Sequence, residues 1–526
     1  MTQSAKDDLN RLTGSAHAMA SWQHAQQYLR NGQHAAAVTS YRSLIQQFPN
    51  LPILRIQMGM AAAGELDFAK ANQAFQRALE LAPTDANVVV SAGVQYFQLR
   101  NMKEACACFE RAVEMAPESV QACLHLASCL EKSHRLDEAW ECIETYLAQN
   151  PKDGQAIYFK AFLLHRKGLN SEVETVLYDL LESDPLPSLE VQANACHLLG
   201  MVLDGFDQYA DALRYFDKSK ALKRQTAKAS MIEQTEQAYE KAIEGRRRLL
   251  AELTPETMRR WREDAAPAPC PHSLALLGGA ARSGTTLIEQ ILGAHPEVLI
   301  FDEPMAFAKE VVGPLQHSAL RLNFKSLNGL APAGRTRLME RYFKNLLHEV
   351  EEAPGARLLL DKNPSTTASL HVWLRLFPLS KVIIALRDPR DVIISCYFRN
   401  TTADEFNFVS RSSLERTARD YTDCMDVWLR LREIGGFEWI ETRYEDVVGN
   451  LEGEGRRLMN FLGLPWHEAQ ATYYDTARRR FVHSPTYHEV KQPIYNRAVG
   501  RWKYYAEALA PLQTRLEPYF RAFGYG

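Results

Sequence analysis

The amino-acid sequence predicts a multidomain protein in which an all-α superhelix of repeats is followed by an α/β domain with a mostly parallel sheet. The first observation behind this prediction is a proline that recurs every 34 residues in the first part of the chain. The second is a series of apolar runs that alternate with helical patterns after residue 271, as in parallel sheets covered on both faces. The third is the length of 526 residues, well beyond the roughly 100–200 residues of one domain.

The recurring prolines keep step with two other sets of residues. A small or apolar residue stands twelve positions before each proline, and a larger apolar residue stands eight positions before it. The prolines are Pro49, Pro83, Pro117, Pro151 and Pro185; the first set is Ala37, Ala71, Ala105, Ala139 and Val173; the second set is Tyr41, Phe75, Phe109, Ile143 and Leu177. This period and order are the signature of tetratricopeptide repeats. With a less regular sixth unit at about 189–224, the predicted array covers residues 1–224.

The repeat array and the segment after it define the predicted domain organisation. Arrays of this kind have a concave face that accommodates an extended peptide, so we expect the array to bind a protein or peptide. A structural or dimerising scaffold is the alternative, and the oligomeric state stays open, with a dimer as one option. A charge-rich helical stretch and the proline-rich run Ala265–Pro271 form the predicted connector, 225–270, because proline stops a helix. The second domain is then predicted over 271–526.

The amino-acid composition argues against some classes of function. The chain is 46% hydrophobic and 24% charged, with a formal net charge of −3, which argues against a general nucleic-acid-binding protein with its basic stripe. The nine cysteines show no paired metal-binding spacing, so we expect reduced, buried thiols and no metal site. The first residues do not resemble a signal peptide, and no run of about 18 apolar residues predicts a membrane span. We therefore expect a cytoplasmic protein.

The stretch Ser273–Thr286 carries the strongest indication of chemistry. An apolar run of strand length enters a loop of small residues, which opens into a pattern of helical spacing. In such a strand–loop–helix arrangement, backbone N–H groups and the helix dipole converge on a phosphate. The spacing of Gly279 and Gly284 matches the start of a Walker A loop, but Thr285 stands where that motif requires lysine. The sequence therefore favours a P-loop-like phosphate cradle of another type over ATP or GTP hydrolysis.

Three further strand-like runs end in polar clusters. These clusters are Asp361–Pro364, Arg387–Arg390 and Arg443–Asp446. Ligands of parallel sheets bind beyond the carboxyl ends of the strands. We therefore expect the clusters and the loop to line one crevice.

At these residues the chain resembles the sulfotransferases that use 3'-phosphoadenylyl sulfate (PAPS). The run Arg282-Ser283-Gly284-Thr285-Thr286-Leu287 resembles their 5'-phosphosulfate-binding loop, and the runs Ala294-His295-Pro296 and Asp302-Glu303 are nearest to the protein-tyrosine sulfotransferase branch. The resemblance implies PAPS as cosubstrate without a metal. It also implies PAPS-binding roles for Arg282, Ser283, Gly284, Thr285, Thr286 and Leu287.

The resemblance extends to the second motif and to the C-terminal region. It implies that Arg387 and Ser395, eight residues apart, hold the 3'-phosphate, and an arginine fork with a hydroxyl donor suits a phosphate dianion. Thr486 matches a hydroxyl residue that contacts the cofactor in the family. The run Gln492–Trp502 resembles the closing segment of bacterial sulfotransferases that carry such repeats.

The resemblance also implies the catalytic residues. Lys362 would face the sulfuryl group and, with Thr286, stabilise the charge that develops on the leaving group. Glu303 would accept the proton of the acceptor hydroxyl, with Asp302 as the competing candidate. The tyrosine branch has an arginine two residues after its glutamate, whereas this chain has Met305.

The sequence thus predicts a PAPS-dependent sulfotransferase whose preferred acceptor is a protein or peptide tyrosine delivered by the repeat array. One alternative is a small-molecule, lipid or glycan hydroxyl as acceptor. Another is a non-catalytic adaptor with a nucleotide-binding domain, and a third is a nucleotide kinase with a degenerate loop.

Overall fold

The computed structural model describes residues 3–65, 67–267, 269–317, 322–347, 357–401, 406–479, 490–494 and 496–525. The chain divides into two compact units, Met1–Gln208 and Tyr209–Gly526. The first contains helices only among its described residues, and the second contains a parallel sheet with helices. The predicted multidomain fold class is confirmed.

The first unit is a series of helices joined by short turns. They are α1 (Gln3–Thr13), α2 (Ala16–Arg30), α3 (His34–Gln47), α4 (Pro52–Gly64), α5 (Phe68–Leu81), α6 (Ala86–Gln98), α7 (Met102–Met115), α8 (Val120–Lys132), α9 (Leu136–Gln149), α10 (Gly154–Arg166), α11 (Asn170–Glu182) and α12 (Leu189–Gly205). The predicted small and apolar positions lie on α3, α5, α7, α9 and α11, and each is at most 1% exposed. The prediction of helical repeats is confirmed.

The periodic prolines act through the residue that precedes each of them. Phe48, Ala82, Ala116 and Asn150 follow the last residue of a helix, with φ between −129° and −143° and ψ between 60° and 72°. A following proline disfavours the helical conformation at such a residue. The 34-residue period therefore fixes where α3, α5, α7 and α9 end.

Close helix packing within the array depends on glycines that keep the same period. A Cβ added at Gly59 would lie 2.3 Å from a ring atom of Phe75, and one added at Gly93 would lie 2.7 Å from a ring atom of Phe109. The aromatic ring of one helix thus lies directly against the backbone of the neighbouring helix, and a residue with a Cβ would not fit at either glycine position.

The second unit begins with helices α13 (Tyr209–Thr226), α14 (Ala229–Ala251) and α15 (Pro255–Ala265). Its strands are β1 (Leu274–Gly279), β2 (Val298–Asp302), β3 (Leu358–Lys362), β4 (Lys381–Leu386) and β5 (Glu438–Arg443). The remaining α-helices are α16 (Thr285–Gly293), α17 (Gly313–His317), α18 (Phe324–Asn328), α19 (Pro332–Leu347), α20 (Leu370–Leu376), α21 (Pro389–Tyr397), α22 (Phe406–Ser410), α23 (Leu414–Ile434), α24 (Tyr444–Gly449), α25 (Leu451–Leu462), α26 (Tyr473–Arg479), α27 (Ala506–Leu509) and α28 (Gln513–Phe523). Short π or 3₁₀ segments cover Ala308–Val312, Pro364–Ser369, Glu468–Gln470, Arg501–Tyr505 and Ala510–Leu512.

The described strands form one parallel sheet in the order β2-β3-β1-β4-β5. All six residues of the central strand β1 are buried, as expected for a strand that helices cover on both faces. Because the strands run in the same direction, their carboxyl ends meet at one edge of the sheet. The ends of β1, β2, β3 and β4 are therefore neighbours there.

Helix α14 lies in the segment predicted as a connector, and it packs on α23. The hydroxyl of Tyr239 donates to Asp420 Oδ1 at 3.2 Å, and Arg247 pairs with Asp423 at 2.6 Å. Arg419 donates two hydrogen bonds, of 2.6 and 2.5 Å, to the carboxylate of Glu240. The predicted boundaries 1–224, 225–270 and 271–526 stay predictions; the division into compact units falls before α13.

All nine cysteines are free thiols, and six of them are buried. Within the part of the chain that the structure describes, no helix is both long enough and apolar enough to cross a membrane. The cytoplasmic location stays a prediction.

Candidate active site

A cavity of about 710 Å³ lies in the second unit. It is lined by the loop after β1, by Glu303 after β2, by Arg387 after β4 and by Ser395 on α21. Residues from three strand ends thus share one cavity. Its lining carries an excess of positive charge, since it includes six arginines and three carboxylates. The arginines are Arg246, Arg282, Arg387, Arg399, Arg411 and Arg501, and the carboxylates are Glu303, Asp420 and Asp423.

The loop between β1 and α16 turns through unusual backbone conformations. Arg282 has φ 68°, and Gly284, the residue before α16, has φ 93°. A left-handed conformation costs a residue with a side chain roughly 1–2 kcal/mol, so the surrounding packing must hold Arg282 in place. At Gly284 a Cβ would also lie 2.5 Å from Cδ2 of Tyr444. Gly284 is therefore required both by its φ and by the close approach of Tyr444.

The predicted loop residues differ in what they present to the cavity. Its lining includes Arg282, Gly284, Thr285, Thr286 and Leu287. The first amides of a helix have no partner within the helix and carry the positive end of its dipole, which suits an anion in front of α16.

Ser283 has a different environment. Its hydroxyl is buried and donates to the carbonyl of Ala280 at 2.7 Å. The side chain of Ser283 therefore closes the loop on itself, and it is not among the residues that line the cavity.

The loop and the second predicted motif are joined directly. Nε of Arg282 donates to Oγ of Ser395 at 3.0 Å, and Nη1 of Arg387 donates to the carbonyl of Arg282 at 3.3 Å. The predicted residues for the two ends of a nucleotide thus lie side by side.

Arg387 is held at the cavity by several groups. It is 8% exposed, and Nη2 donates to the carbonyl of Ala498. Its guanidinium carbon lies 5.0 Å from the centre of the Tyr444 ring, and Nη2 lies 3.8 Å from Asp391. Among the described residues, its buried Nε has no hydrogen-bond partner, so one donor of this side chain is available to a ligand.

The neighbours of Arg387 in the motif have structural contacts. Asp388 accepts a hydrogen bond from the backbone N–H of Arg390 at 2.9 Å and pairs with its guanidinium at 2.7 Å. The guanidinium of Arg390 stacks 3.6 Å from the centre of the Trp502 ring. Arg390 does not line the cavity.

The predicted closing segment is tied to α21 through a carboxylate. Asp391 accepts the backbone N–H of Gly500 at 2.8 Å and that of Trp502 at 2.7 Å. Residues 490, 494 and 498 line the cavity beside this anchor. Thr486, the other predicted contact of this region, lies outside the described residues.

Lys362 lies in a buried cluster of carboxylates. Because Asp302 pairs with Lys362 in the parallel register of β2 and β3, their side chains are close, and Nζ of Lys362 contacts Oδ1 of Asp302. The same Nζ lies 3.1 Å from Oε1 of Glu303 and 3.7 Å from Oε2 of Glu289. Lys362 and Glu289 are fully buried, whereas the side chain of Glu303 is 52% exposed.

The cluster shifts the proton affinities of its members. Burial alone would lower the pKa of Lys362, but the carboxylates of Glu289, Asp302 and Glu303 outweigh it and raise that pKa. Burial raises the pKa of Glu289 to about 8, although Lys362 opposes the shift. Lys362 is therefore a firmly charged ammonium group beside Glu303.

The cluster separates the two predicted catalytic residues by their access to the cavity. Glu303 lines it, whereas Lys362 contacts it through Glu303. The expectation that Lys362 faces the transferred group stays a prediction.

Helix α14 forms a wall of the cavity that sequence analysis did not identify. Its residues Tyr239, Ala242, Ile243 and Arg246 line the cavity, and their spacing puts them on one face of a helix. This spacing was the one indication in the sequence that α14 has a packed face. The polar residues on the other faces of α14 favoured the interpretation as a solvated connector.

Sequence profiles of known families match two parts of the chain. Residues 275–468 match the sequence profile described as "Sulfotransferase family". Profiles described as "Tetratricopeptide repeat" match residues 19–51, 56–120 and 96–163.

Several curated proteins are similar to parts of the chain. Protein-tyrosine sulfotransferase A of Caenorhabditis elegans is 28% identical over 203 residues, which are 36% of this chain and 50% of that protein. Protein-tyrosine sulfotransferase 2 of Gallus gallus is 29% identical over 206 residues, 37% of this chain and 52% of that protein. An uncharacterized protein of Aquifex aeolicus is 28% identical over 354 residues, 66% of this chain and 44% of that protein. The chain spans about half the length of these relatives.

Among solved structures, the sulfotransferase domain of the Synechococcus PCC 7002 olefin synthase is 23% identical, covers 44% of this chain and 86% of that domain, and has a TM-score of 0.31. The structure of MamA is 17% identical, covers 32% of this chain and 96% of that protein, and has a TM-score of 0.27. The profile matches show that the chain joins N-terminal tetratricopeptide repeats to a domain of the sulfotransferase family.

Proposed function

We propose that this protein transfers a sulfuryl group from PAPS to an acceptor hydroxyl, with a protein or peptide tyrosine as the preferred acceptor. One observation carries the proposal: Arg282, from the loop after β1, and Arg387, from the end of β4, meet at one cavity. They are linked through the hydrogen bonds to Ser395 and to the carbonyl of Arg282. A nucleotide with phosphate groups at both ends of its ribose needs such paired sites.

The residues present fit this nucleotide. The lining has three more arginines than carboxylates, as a polyanion requires. The first amides of α16, with Arg282, Thr285 and Thr286, would hold the 5' end. Arg387, whose Nε has no hydrogen-bond partner in the part of the chain that the structure describes, and Ser395 would hold the 3'-phosphate. Ser283 and Gly284 would serve by shaping the loop, and Leu287 by packing at its end.

Glu303 is the proposed general base. Its side chain is half exposed at the cavity, and Lys362 holds one of its oxygens at 3.1 Å. A phenol with a pKa of about 10 must lose its proton as it attacks, and a positioned carboxylate can accept that proton. Asp302 is the weaker candidate, since its side chain is 11% exposed and in contact with Lys362.

Groups around Glu303 would stabilise the negative charge that develops on the leaving group. PAPS, when bound, supplies the sulfuryl group and a phosphate leaving group. Thr286 lines the cavity at the first turn of α16, where its hydroxyl and the helix amides can stabilise negative charge. Lys362 contributes positive charge from behind Glu303 and fixes the orientation of that carboxylate. No metal is required for these roles.

The names of the relatives support tyrosine as the acceptor, and the repeat array supports delivery of a protein or peptide. Met305, two residues after Glu303, is 68% exposed, so acceptor contacts in this chain differ from those of the tyrosine branch. A small-molecule, lipid or glycan hydroxyl is the alternative acceptor, and a non-catalytic adaptor is the alternative role. Oligomeric state and a cytoplasmic location remain predictions.

A transfer assay tests the proposal. The full chain is incubated with ³⁵S-labelled PAPS and a tyrosine peptide, with the phenylalanine peptide as matched control, and in parallel with host extract separated into protein, lipid and small molecules. We expect label in the tyrosine peptide and in the protein fraction. Label confined to small molecules or lipids would replace the tyrosine acceptor with the alternative. Absence of transfer from bound PAPS would favour the adaptor.

A further inference from the structure

We propose that Cys123 and Cys142 form a redox-active pair of thiols in the repeat array, which a hydroperoxide oxidises to a disulfide. Cys142 is the thiol that reacts with the peroxide, and Cys123 is the thiol that then completes the disulfide. Both residues lie within the first unit, and their chemistry does not depend on the proposed function.

The two thiols lie opposite each other on the two helices of one hairpin. Cys123 is on α8 and Cys142 is on α9, 19 residues further along the chain, and their sulfur atoms are 3.4 Å apart. Each sulfur is also close to the backbone of the other residue. Sγ of Cys123 lies 3.6 Å from the carbonyl oxygen of Cys142, and Sγ of Cys142 lies 3.8 Å from the carbonyl oxygen of Cys123. The two helices are therefore in close contact where the cysteines lie.

This geometry suits a disulfide. The bond requires two backbones that approach each other closely and a distance of about 2.05 Å between the sulfur atoms. The sulfurs must therefore come closer by roughly 1.4 Å. Small rotations of the two side chains can cover this distance while α8 and α9 keep their positions.

The two thiols differ in exposure and in proton affinity. Cys123 is 2% exposed, whereas Cys142 is partly exposed. The hydrogen bond from the thiol of Cys123 lowers the pKa of Cys142, and the same bond, together with burial, raises the pKa of Cys123. The thiolate is the reactive form of a cysteine, and cysteines that react with peroxide are accessible and have a second thiol beside them. Cys142 meets these conditions.

Other cysteines of the chain lack at least one of these conditions. Cys270 and Cys424 are partly exposed, but burial raises the pKa of each thiol. Cys106 on α7 and Cys129 on α8 form a second hydrogen-bonded pair, but they are only 5% and 0% exposed. Burial also raises the pKa of Cys129. Because buried thiols are inert, we expect oxidation to be selective for the pair on α8 and α9.

The oxidation by hydrogen peroxide takes two steps. The thiolate sulfur of Cys142 attacks one peroxide oxygen and the O–O bond breaks, so that Cys142 becomes a sulfenic acid. The second oxygen leaves as hydroxide and forms water with the proton that Cys142 released. The sulfur of Cys123 then attacks the sulfur of Cys142, the S–O bond breaks, and the hydroxide that leaves takes the thiol proton of Cys123. The two sulfurs together lose two electrons, and the peroxide is reduced to two molecules of water.

The disulfide would join both helices of one hairpin within the array. A cross-link restricts the unfolded chain and so stabilises the folded hairpin. In a reducing compartment such bonds are transient and can sense oxidants. The pair therefore provides a reversible covalent link by which an oxidant can stabilise the repeat array.

Peptide mapping of the full chain tests the proposal. The reduced, folded protein is treated with hydrogen peroxide, its remaining thiols are blocked with iodoacetamide, and its peptides are analysed by mass spectrometry. We expect peptides that are joined through Cys123 and Cys142, that together have lost two hydrogen atoms and that dithiothreitol separates. This link should form at least about tenfold faster than a link between Cys106 and Cys129, because a buried pair reacts slowly. Circular dichroism checks that the chain stays folded during the treatment.

Variants assign the roles of the two thiols. In Cys123→Ser the second thiol is missing, so the sulfenic acid of Cys142 should persist and be labelled by dimedone, a reagent for sulfenic acids. In Cys142→Ser, we expect at least about tenfold less dimedone on Cys123, whose thiol is buried and resists ionisation. Cys106→Ser is the matched control, because it removes a thiol of the buried pair and should leave the link between Cys123 and Cys142 intact. If a variant does not fold, the peptide map of the wild type carries the test.

The proposal would be overturned if the folded wild type formed no link between Cys123 and Cys142 under peroxide. A link between Cys106 and Cys129 that formed first would also overturn it. Equal dimedone labelling of Cys123 and Cys142 in the two variants would contradict the assignment of Cys142 as the reacting thiol. Neither nucleotide nor acceptor enters these experiments, so their outcome is separable from that of the transfer assay.

Discussion

Arg282 and Ser395 lie 113 residues apart in sequence, yet Nε of Arg282 donates a hydrogen bond of 3.0 Å to Oγ of Ser395. The bond joins the loop after the central strand β1 to the helix after its neighbour β4. It exists because two parallel strands end at the same edge of the sheet. The two predicted phosphate-binding motifs are therefore parts of one site, and the predictions below follow from that.

Arg387→Met should weaken PAP binding about 10- to 100-fold, because it removes charge-assisted hydrogen bonds to the 3'-phosphate. Arg390→Met is the matched control from the same motif, since Arg390 pairs with Asp388 and stacks on Trp502 away from the cavity. We expect Arg390→Met to lower the melting temperature and leave PAP affinity within a few-fold of the wild type. Calorimetric titration with PAP measures both. Similar PAP affinities for Arg387→Met and the wild type would show that this arginine does not hold the phosphate.

Gly284→Ala should weaken PAP binding by about tenfold or more, since small displacements of a binding group have large effects. Alanine would have to adopt φ 93° and place its Cβ 2.5 Å from Tyr444, so the loop must shift. Gly245→Ala, in the middle of α14 with no atom of the described residues within 4 Å of the added Cβ, is the control and should stabilise the protein by about 0.5–1 kcal/mol. Melting curves and PAP titrations distinguish the two substitutions. An alanine at 284 that leaves PAP affinity intact would contradict this account of the loop.

Glu303→Gln should lower kcat about 10²- to 10⁴-fold, the usual contribution of a general base, while PAP affinity is retained. Asp302→Asn is the paired variant, and we expect a smaller loss of kcat, because Asp302 acts through its contact with Lys362. Steady-state kinetics with PAPS and the acceptor found in the transfer assay measure both losses. A larger effect at Asp302 than at Glu303 would exchange their roles.

Glu289→Gln should alter the pH dependence of stability. The pKa of Glu289 is raised from 4.5 to about 8 by burial, so the folded state holds this proton where the unfolded state has released it. Stability of the wild type must therefore fall, through this group, as pH rises from about 4.5 to about 8. Glutamine does not titrate, so Glu289→Gln should gain stability relative to the wild type across this range.

Chemical denaturation of both proteins at several pH values checks the sign of this difference. The same substitution in the exposed Glu244 of α14 should give a difference that changes little with pH. A constant difference between Glu289→Gln and the wild type from pH 5 to 9 would mean that Glu289 is ionised in the folded protein throughout.

Sequence patterns predicted the parts of the fold that local spacing encodes. The 34-residue period predicts the helix ends, because each proline restricts the residue before it. It also predicts buried positions, because each small residue marks a place where two helices approach closely. The loop around Gly284 and the polar residues at strand ends could also be predicted, because patterns typical of strands, turns and helices lie next to them in the sequence.

Other features depend on packing between distant segments and were not predictable from spacing. The three-carboxylate environment of Lys362 requires the register between β2 and β3 and the inward face of α16. The wall formed by α14 requires bonds such as Tyr239 to Asp420, 181 residues apart. The inward turn of Ser283 depends on the conformation of its own loop, which the residue types alone did not specify.

The most direct test of the central claim, that one cavity binds both ends of a doubly phosphorylated nucleotide, is the affinity of the full chain for PAP relative to ADP. ADP lacks the 3'-phosphate that Arg387 and Ser395 are proposed to hold. Calorimetric titration should show PAP binding at least about tenfold more tightly than ADP, as expected for charge-assisted hydrogen bonds to that phosphate. Equal affinity for the two nucleotides, or no binding of PAP, would contradict the claim.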